Sequence, residues 1–526
     1  MKGGESGFLF TNTKKNEEEG IMKKFIVFSI VGFLVLFGNT VHAQQVDFKA
    51  SGFIFMSSFL GKNVPHAYDI PNWQTGVSWM PPIYGPVPNF DPSTATTGQA
   101  LDKTRSFMQT RGILKVDASV AKQVSGTIIF EMDSGQWGER GEVRNSLGRW
   151  NADQAAVEIK NLYLDVALPY IGIPVPMTAR LGLQGFALRP QVLGYWDGMG
   201  ITGGIKIDPV TIQPIWFKAL ERLDYSSDDI DIYGLNVFGK FGKITAGAYG
   251  IYQNANTYPL PATGPSSPTL TNTSNLWWFG VYSDGKMGPV NTNFDLVMDT
   301  GKVEDKGNNP TFQDVKYRGW AGRLKIDYPW EKFNFGAIGM YASGSDTKKT
   351  DGGTPGGTGG LPGVTSKRVS GYVVPIASEQ FPFGDSLLIS GDPIWNGFMG
   401  YSVLNYNQVS RGAIGGTWIA KAYASVKATP WYKVTLAGVY IGDTTKNGNT
   451  MGNARKTGTS LLRDDKTIGF ELDLINEIKI YNNLQWNIGL GYMFAGDALG
   501  YYSLAKGKNI DGKDPWALVT RLTYTF

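Results

Sequence analysis

The chain has 526 residues, no cysteine, two histidines, 68 glycines and 13% aromatic residues, and its 49 basic and 45 acidic residues leave a net charge of +4. The lack of cysteine excludes disulfides, thiolate chemistry and a lipid-anchor cysteine, and so small a net charge implies no polybasic nucleic-acid surface. Of the two histidines, His42 falls in the N-terminal export signal described next, and His66 alone leaves little for a histidine-based metal or catalytic site.

Lys23 and Lys24 precede an apolar run from Phe25 to Phe37, followed by Val41, His42 and Ala43. A basic start, a short apolar stretch and small residues before a cut after Ala43 make a cleavable secretory signal. The run is too short to span a bilayer as a helix, which takes about 20 apolar residues. The polar stretch 1–21 is unlike the start of such a signal, whereas Met22 begins a normal one. The expected organisation is therefore a non-native extension over 1–21, a signal peptide over 22–43 and one domain over 44–526.

Period-two alternation, the mark of a strand with two different faces, recurs from residue 46 to the end. It predicts strands over 46–60, 104–120, 125–137, 153–168, 177–189, 200–208, 210–223, 230–240, 243–254, 274–284, 289–300, 314–328, 332–344, 415–429, 432–443, 466–480, 483–495 and 515–526. Tight links such as Asp208-Pro209, Gly239 to Gly242, Gly285 to Gly288 and Tyr481-Asn482 alternate with long ones at 61–103, 138–152, 190–199, 255–273, 301–313, 345–414, 444–465 and 496–514. Strict alternation places every long link at one end, whereas a soluble sandwich spreads its loops over both. An extra hairpin around 387–408 would raise the count, so 16 to 20 strands fit.

Parity separates the faces. In 289–300, Asn291, Asn293, Asp295 and Asp299 oppose Phe294, Leu296 and Met298; in 466–480, Glu471, Asp473, Glu477 and Lys479 oppose Phe470, Leu472 and Leu474. Arg105, Arg111, Lys115, Arg180, Lys206, Arg323, Lys325, Lys421 and Arg521 fall on chargeable faces in their own strands. The parity breaks near Lys160 and Asn161, where a β-bulge would restore it. Aromatic residues near strand ends, Tyr328, Trp330, Trp431, Tyr432, Tyr481 and Trp516, suit an interfacial girdle on the turn side.

The last eleven residues, WALVTRLTYTF, alternate Trp516, Leu518, Leu522, Tyr524 and Phe526 against Ala517, Val519, Arg521 and Thr523. A chain that stops on an aromatic at the end of such a strand resembles the Gram-negative outer-membrane β-barrel porins. The resemblance implies an all-β fold, a transmembrane antiparallel β-barrel of about 18 strands with short periplasmic turns and long extracellular loops. It also implies a cell outer-membrane location, contact with the lipid bilayer and lipopolysaccharide, recognition of the C-terminal strand by the barrel-assembly machinery, and a homotrimer. Phe48, Ala50, Gly52, Ile54 and Met56 of the first strand are expected to form the outward face that pairs with the closing strand. A charge at mid-height on a lipid face costs about 2–4 kcal/mol, so the charged faces must line the interior.

The function implied is passive diffusion of small hydrophilic solutes through a water-filled lumen. The expected lining is Arg105, Arg111, Lys115, Arg180, Lys206, Arg323, Lys325, Lys421 and Arg521, opposed by Asp295, Asp299, Glu471 and Asp473, with weak anion preference from the basic excess. Phe381, Phe383, Trp395, Phe398 and Tyr401 in the long link 345–414 are expected either to constrict the lumen or to cover its mouth. No cofactor, metal or catalytic residue is indicated. Two other readings stay open: a substrate-specific channel for an anionic oligosaccharide or polymer, resembling alginate-export barrels, and a non-conducting adhesin or structural barrel.

Overall fold

Each strand carries one apolar and one polar face, and a sheet of such strands hides its free edges by closing on itself. The structure, a computed structural model, describes residues 46–63, 104–120, 123–138, 157–168, 174–221, 229–258, 272–305, 315–346, 368–375, 386–388, 414–450, 452, 454–503 and 506–526. The predicted signal peptide, the Pro-rich part of the first long link and the aromatics Phe381, Phe383, Trp395, Phe398 and Tyr401 lie outside the described residues.

The barrel strands are β1 (Asp47–Lys62), β2 (Thr104–Val120), β3 (Val124–Gln136), β4 (Glu158–Leu168), β5 (Met177–Leu188), β6 (Gly194–Ile207), β7 (Val210–Leu220), β8 (Ile230–Phe241) and β9 (Ile244–Tyr258). The second half comprises β10 (Asn272–Met287), β11 (Val290–Asp305), β12 (Trp320–Trp330), β13 (Phe333–Ala342), β14 (Thr417–Thr429), β15 (Tyr432–Asp443), β16 (Thr467–Tyr481), β17 (Leu484–Ala495) and β18 (Trp516–Thr525). The sheet contains twenty hydrogen-bonded strands, of which Val315–Tyr317 and Arg368–Val369 are short accessories, so eighteen form the ring. Consecutive ring strands pair antiparallel, as the alternation predicts.

Closure is made by β18, whose register against β1 runs from Phe53↔Thr525 to Lys62↔Trp516, while its other edge pairs with β17. Gly52 and Phe526 exchange both backbone hydrogen bonds, at 2.9 and 3.1 Å. On β1 the even residues Ile54, Met56 and Leu60 are exposed, and Phe55, Ser57 and Phe59 are buried. The outward face expected from the sequence is therefore the observed one.

The bulge expected near Lys160 is present, since Ile129 pairs with Asn161 and Phe130 with Ile159, which leaves Lys160 as the extra residue. Two sequence expectations need correction. β6 begins at Gly194 rather than residue 200, because Trp196 and its neighbours continue the ladder with β5, so the predicted long link 190–199 shrinks to 189–193. Trp516 sits opposite Lys62 and Tyr492 at the loop end, not in a turn-side girdle, because the eighteenth strand descends from the loops.

Aromatic pairs ring the outer wall at both ends. At the loop end Tyr252 stacks on Trp277 (4.3 Å), Trp320 on Tyr341 (4.8 Å) and Trp418 lies beside Tyr440 (5.0 Å). At the turn end Trp330 stacks on Phe335 (6.5 Å) and Tyr524 on Phe526 (5.8 Å). Between them Leu235, Val281, Leu296, Leu324, Leu436 and Leu472 stand exposed on the outer face. The tight turns after β8 and β10 place Gly242 and Gly288 at φ of +64° and +60°, a region that glycine enters without a Cβ penalty.

Candidate functional site

The interior of the barrel is where the chargeable faces converge, and its wall divides into three parts. On β2–β5 the luminal charges neutralise one another. Arg111 pairs with Glu131, Lys115 with Asp117 (2.8 Å), and Arg180 grips Asp165 through two parallel hydrogen bonds (2.8 and 2.9 Å) while lying over the Tyr163 ring at 4.1 Å. Lys160, turned by its bulge, reaches Glu131 at 3.0 Å and Asp197 at 3.2 Å. Arg521 of β18 lies over the Phe55 ring at 4.5 Å, inside the barrel as its parity requires. Lys206 sits near the turn end beside Asp208 (3.4 Å), and for Arg105 only the register opposite Gly61 is described.

The second part is filled by inserted chain. Arg189 leaves β5 at φ +46°, and its guanidinium spans the lumen to Asp284 and Asp295, on β10 and β11, lying over the Tyr282 ring at 4.5 Å. Burial opposes its charge, but the Asp295 and Asp284 carboxylates outweigh that and hold its pKa above the usual value. Behind it Val192 and Leu193 are fully buried, in one apolar cluster with Trp196, Phe217, Tyr249, Trp278 and Tyr372.

Tyr372 belongs to the long link between β13 and β14. Its hydroxyl donates to the Val192 carbonyl (2.6 Å), and its burial raises the phenol well above its ordinary pKa. Beside it the Trp278 indole donates to the Val373 carbonyl (2.8 Å), and Asp299 accepts from the backbone N–H of Gly319 (2.8 Å) and of Val373 (3.1 Å). Further along the same link, Leu388 N–H donates to Glu471 (2.8 Å) and Leu387 N–H to Asp473 (3.3 Å).

Asp299, Glu471 and Asp473 are thus on inward faces, as parity predicts, but inserted backbone covers them, with each at most 2% exposed. Asp295 is covered likewise by Arg189. Unpaired backbone N–H groups inside a barrel need acceptors, and these carboxylates supply them. The described pieces of the long link therefore descend into the lumen.

Among the described residues the third part is open. The inner faces of β12–β17 surround a cavity of about 600 Å³ at the turn end. Lys325, Lys421, Lys427 and Lys433 project from β12, β14 and β15, with Lys332 at the adjoining turn, against Asp327, Glu331 and Glu477. Arg323 lies next to it on β12 and donates to Asn293 (2.5 Å). Tyr423 donates to Asp327, and Lys325 and Lys421 approach its ring at 5.9 and 5.2 Å. Among the described residues, then, Lys325, which pairs with Asp327 at 4.0 Å, and the largely buried Lys421 border the cavity, whereas most of the other predicted lining residues are held in ion pairs or loop contacts away from it.

Sequence reasoning overlooked Arg189, Asp284 and Tyr423. Asp284 and Tyr423 carried the right parity, so the signal was present. Arg189 carried none, because a lone arginine before Pro190 at a strand end says nothing of what it reaches across a lumen.

No protein-family model matches the chain, and no curated protein matches its sequence. Among solved structures the chain is similar to Pseudomonas aeruginosa OccK8 (OprE), with a TM-score of 0.47 and 10% identity over 91% of this chain and 98% of that one. OpdQ from the same organism gives 0.45 and 11% over 91% and 98%, and OccK3 (OpdO) gives 0.44 and 9% over 91% and 96%.

Proposed function

We propose that this protein is an outer-membrane channel through which small hydrophilic solutes pass, with preference for anions. The supporting observation is the contrast between walls: an apolar outer face bounded by two aromatic belts, and an inner face whose open part is a cavity carrying five lysines against three acidic residues. The short turns would then face the periplasm and the long links the exterior. The C-terminal strand would be the element read by the barrel-assembly machinery, and a homotrimer is the proposed assembly.

The inserted segments at Arg189–Leu193 and 368–375 favour a selective channel over a wide diffusion pore, because packed chain occupies part of the section that an empty barrel of this size would leave to water. The experiment is reconstitution in planar bilayers under a KCl gradient. Reversal potentials should show chloride preference, weakened in Lys421→Gln. Cation selectivity would sink the anion reading, and absence of any conductance would sink the channel reading in favour of an adhesin or structural barrel.

A further inference from the structure

Lys427 of β14 and Lys433 of β15 are direct cross-strand partners in the barrel register. Like charges in that position repel and destabilise the pair. A third lysine joins them, since the backbone N–H of Lys427 donates to the Lys332 carbonyl (2.9 Å), which fixes the two residues side by side at the turn end. All three side chains line the same cavity.

Their neutralisation is incomplete. Lys433 has Glu477 opposite it on β16 and binds it at 2.5 Å, and Lys332 lies over the Phe333 ring at 5.5 Å. Lys427 has no ion pair among the described residues. Ser425, Thr435 and Asn487 add neutral hydrogen-bonding groups to the same wall. Solvated lysines on a convex surface would need no further account, but these three share the wall of a concave cavity whose five lysines outnumber its acidic Asp327, Glu331 and Glu477, and the excess gives it a positive potential.

We infer that Lys427, Lys433 and Lys332 form an anion-binding site at the turn end of the lumen, built for a compact dianionic oxyanion, either free or as the phosphate, sulfate or paired carboxylates of a small solute. It rests on the reading of the lumen as a solute path and gives that path a holding point at its turn-side end, separate from the segments that fill the other parts. The ligand would supply the counter-charge that Lys427 lacks beside the Glu477-paired Lys433, so binding and relief of the cross-strand repulsion are one event.

The test uses the full barrel in detergent, with sulfate as the probe against chloride at matched ionic strength, read as the shift in unfolding midpoint. The parent should be stabilised by sulfate. Lys427→Gln should unfold in chloride no earlier than the parent, because the Lys–Lys repulsion is gone, and should need about tenfold more sulfate for the same shift, as loss of one charge-assisted hydrogen bond implies. Lys240→Gln, another turn-end lysine outside the cavity, should keep the parent's response. No sulfate shift in the parent, an undiminished shift in Lys427→Gln, or an equal loss in Lys240→Gln would each overturn the site. KCl conductance of the same preparation separates the two readings: a silent barrel that keeps the Lys427-dependent shift removes the channel and leaves the site.

Discussion

Arg189 offers the sharpest test of how the lumen is held. Its side chain is 12% exposed and Asp295 is 1% exposed, so replacement by methionine takes the guanidinium from the Tyr282 ring and from a buried carboxylate, which among the described residues keeps only Arg323 opposite it on β12 as a neighbouring cation. Removing one member of a buried pair costs about 3–5 kcal/mol, most of it from the stranded charge. Asp284, at 39%, is wet enough to be screened and adds little. Arg189→Met should therefore lower the barrel's unfolding free energy by about 3–5 kcal/mol in urea titrations, and the freed β5–β6 tip should make single-channel current larger and noisier. Adding Asp295→Asn removes the stranded charge and should restore at least about half of the loss. A single variant within about 0.5 kcal/mol of the parent, or a double variant no better than the single, would refute the strut.

Asp299→Ala strips the acceptor from Gly319 and Val373 N–H, so open-channel noise from the segment 368–375 should rise while the ring itself survives; quiet traces identical to the parent would show that this carboxylate does not hold the segment. The face assignment predicts that Leu436→Arg, on the outer wall at 60% exposure, costs about 2–4 kcal/mol in lipid, whereas Thr435→Arg one residue away on the lumen side costs far less. Equal effects in vesicle unfolding would reverse the faces of β15. Gly182 sits in β5 at φ +128°, and a Cβ there would lie 2.4 Å from the Leu162 carbonyl oxygen, so Gly182→Ala should destabilise the barrel by about 1–3 kcal/mol, checked by the same titration.

Alternation marked the strands, their faces and the bulge at Lys160, and the resemblance to outer-membrane barrels added the closing pair β1–β18, because a sheet with one face in an apolar medium cannot tolerate a register slip without reversing every side chain. The same rule placed Lys325, Lys421, Asp295, Glu471 and Asp473 on inward faces. It could not tell which of them meet open space. Asp295, Asp299, Glu471 and Asp473 looked like lining charges, and they hold inserted chain, because an isolated carboxylate and one that caps a backbone N–H from a link far along the chain have the same local pattern.

What the sequence by itself determined is the wall, with its strands, their alternating faces and a count between 16 and 20, because these follow from contacts between neighbouring strands whose partners lie close in the sequence; that eighteen strands close the ring, with β1 against β18, is settled by the structure. What only the tertiary structure decided, besides that closure, is the contents. Arg189 meets Asp295 across 106 positions of sequence, and Tyr372 meets Val192 across 180. Whether a link folds inward depends on shape and burial inside a ring that exists only once every strand has paired, and no local periodicity encodes that.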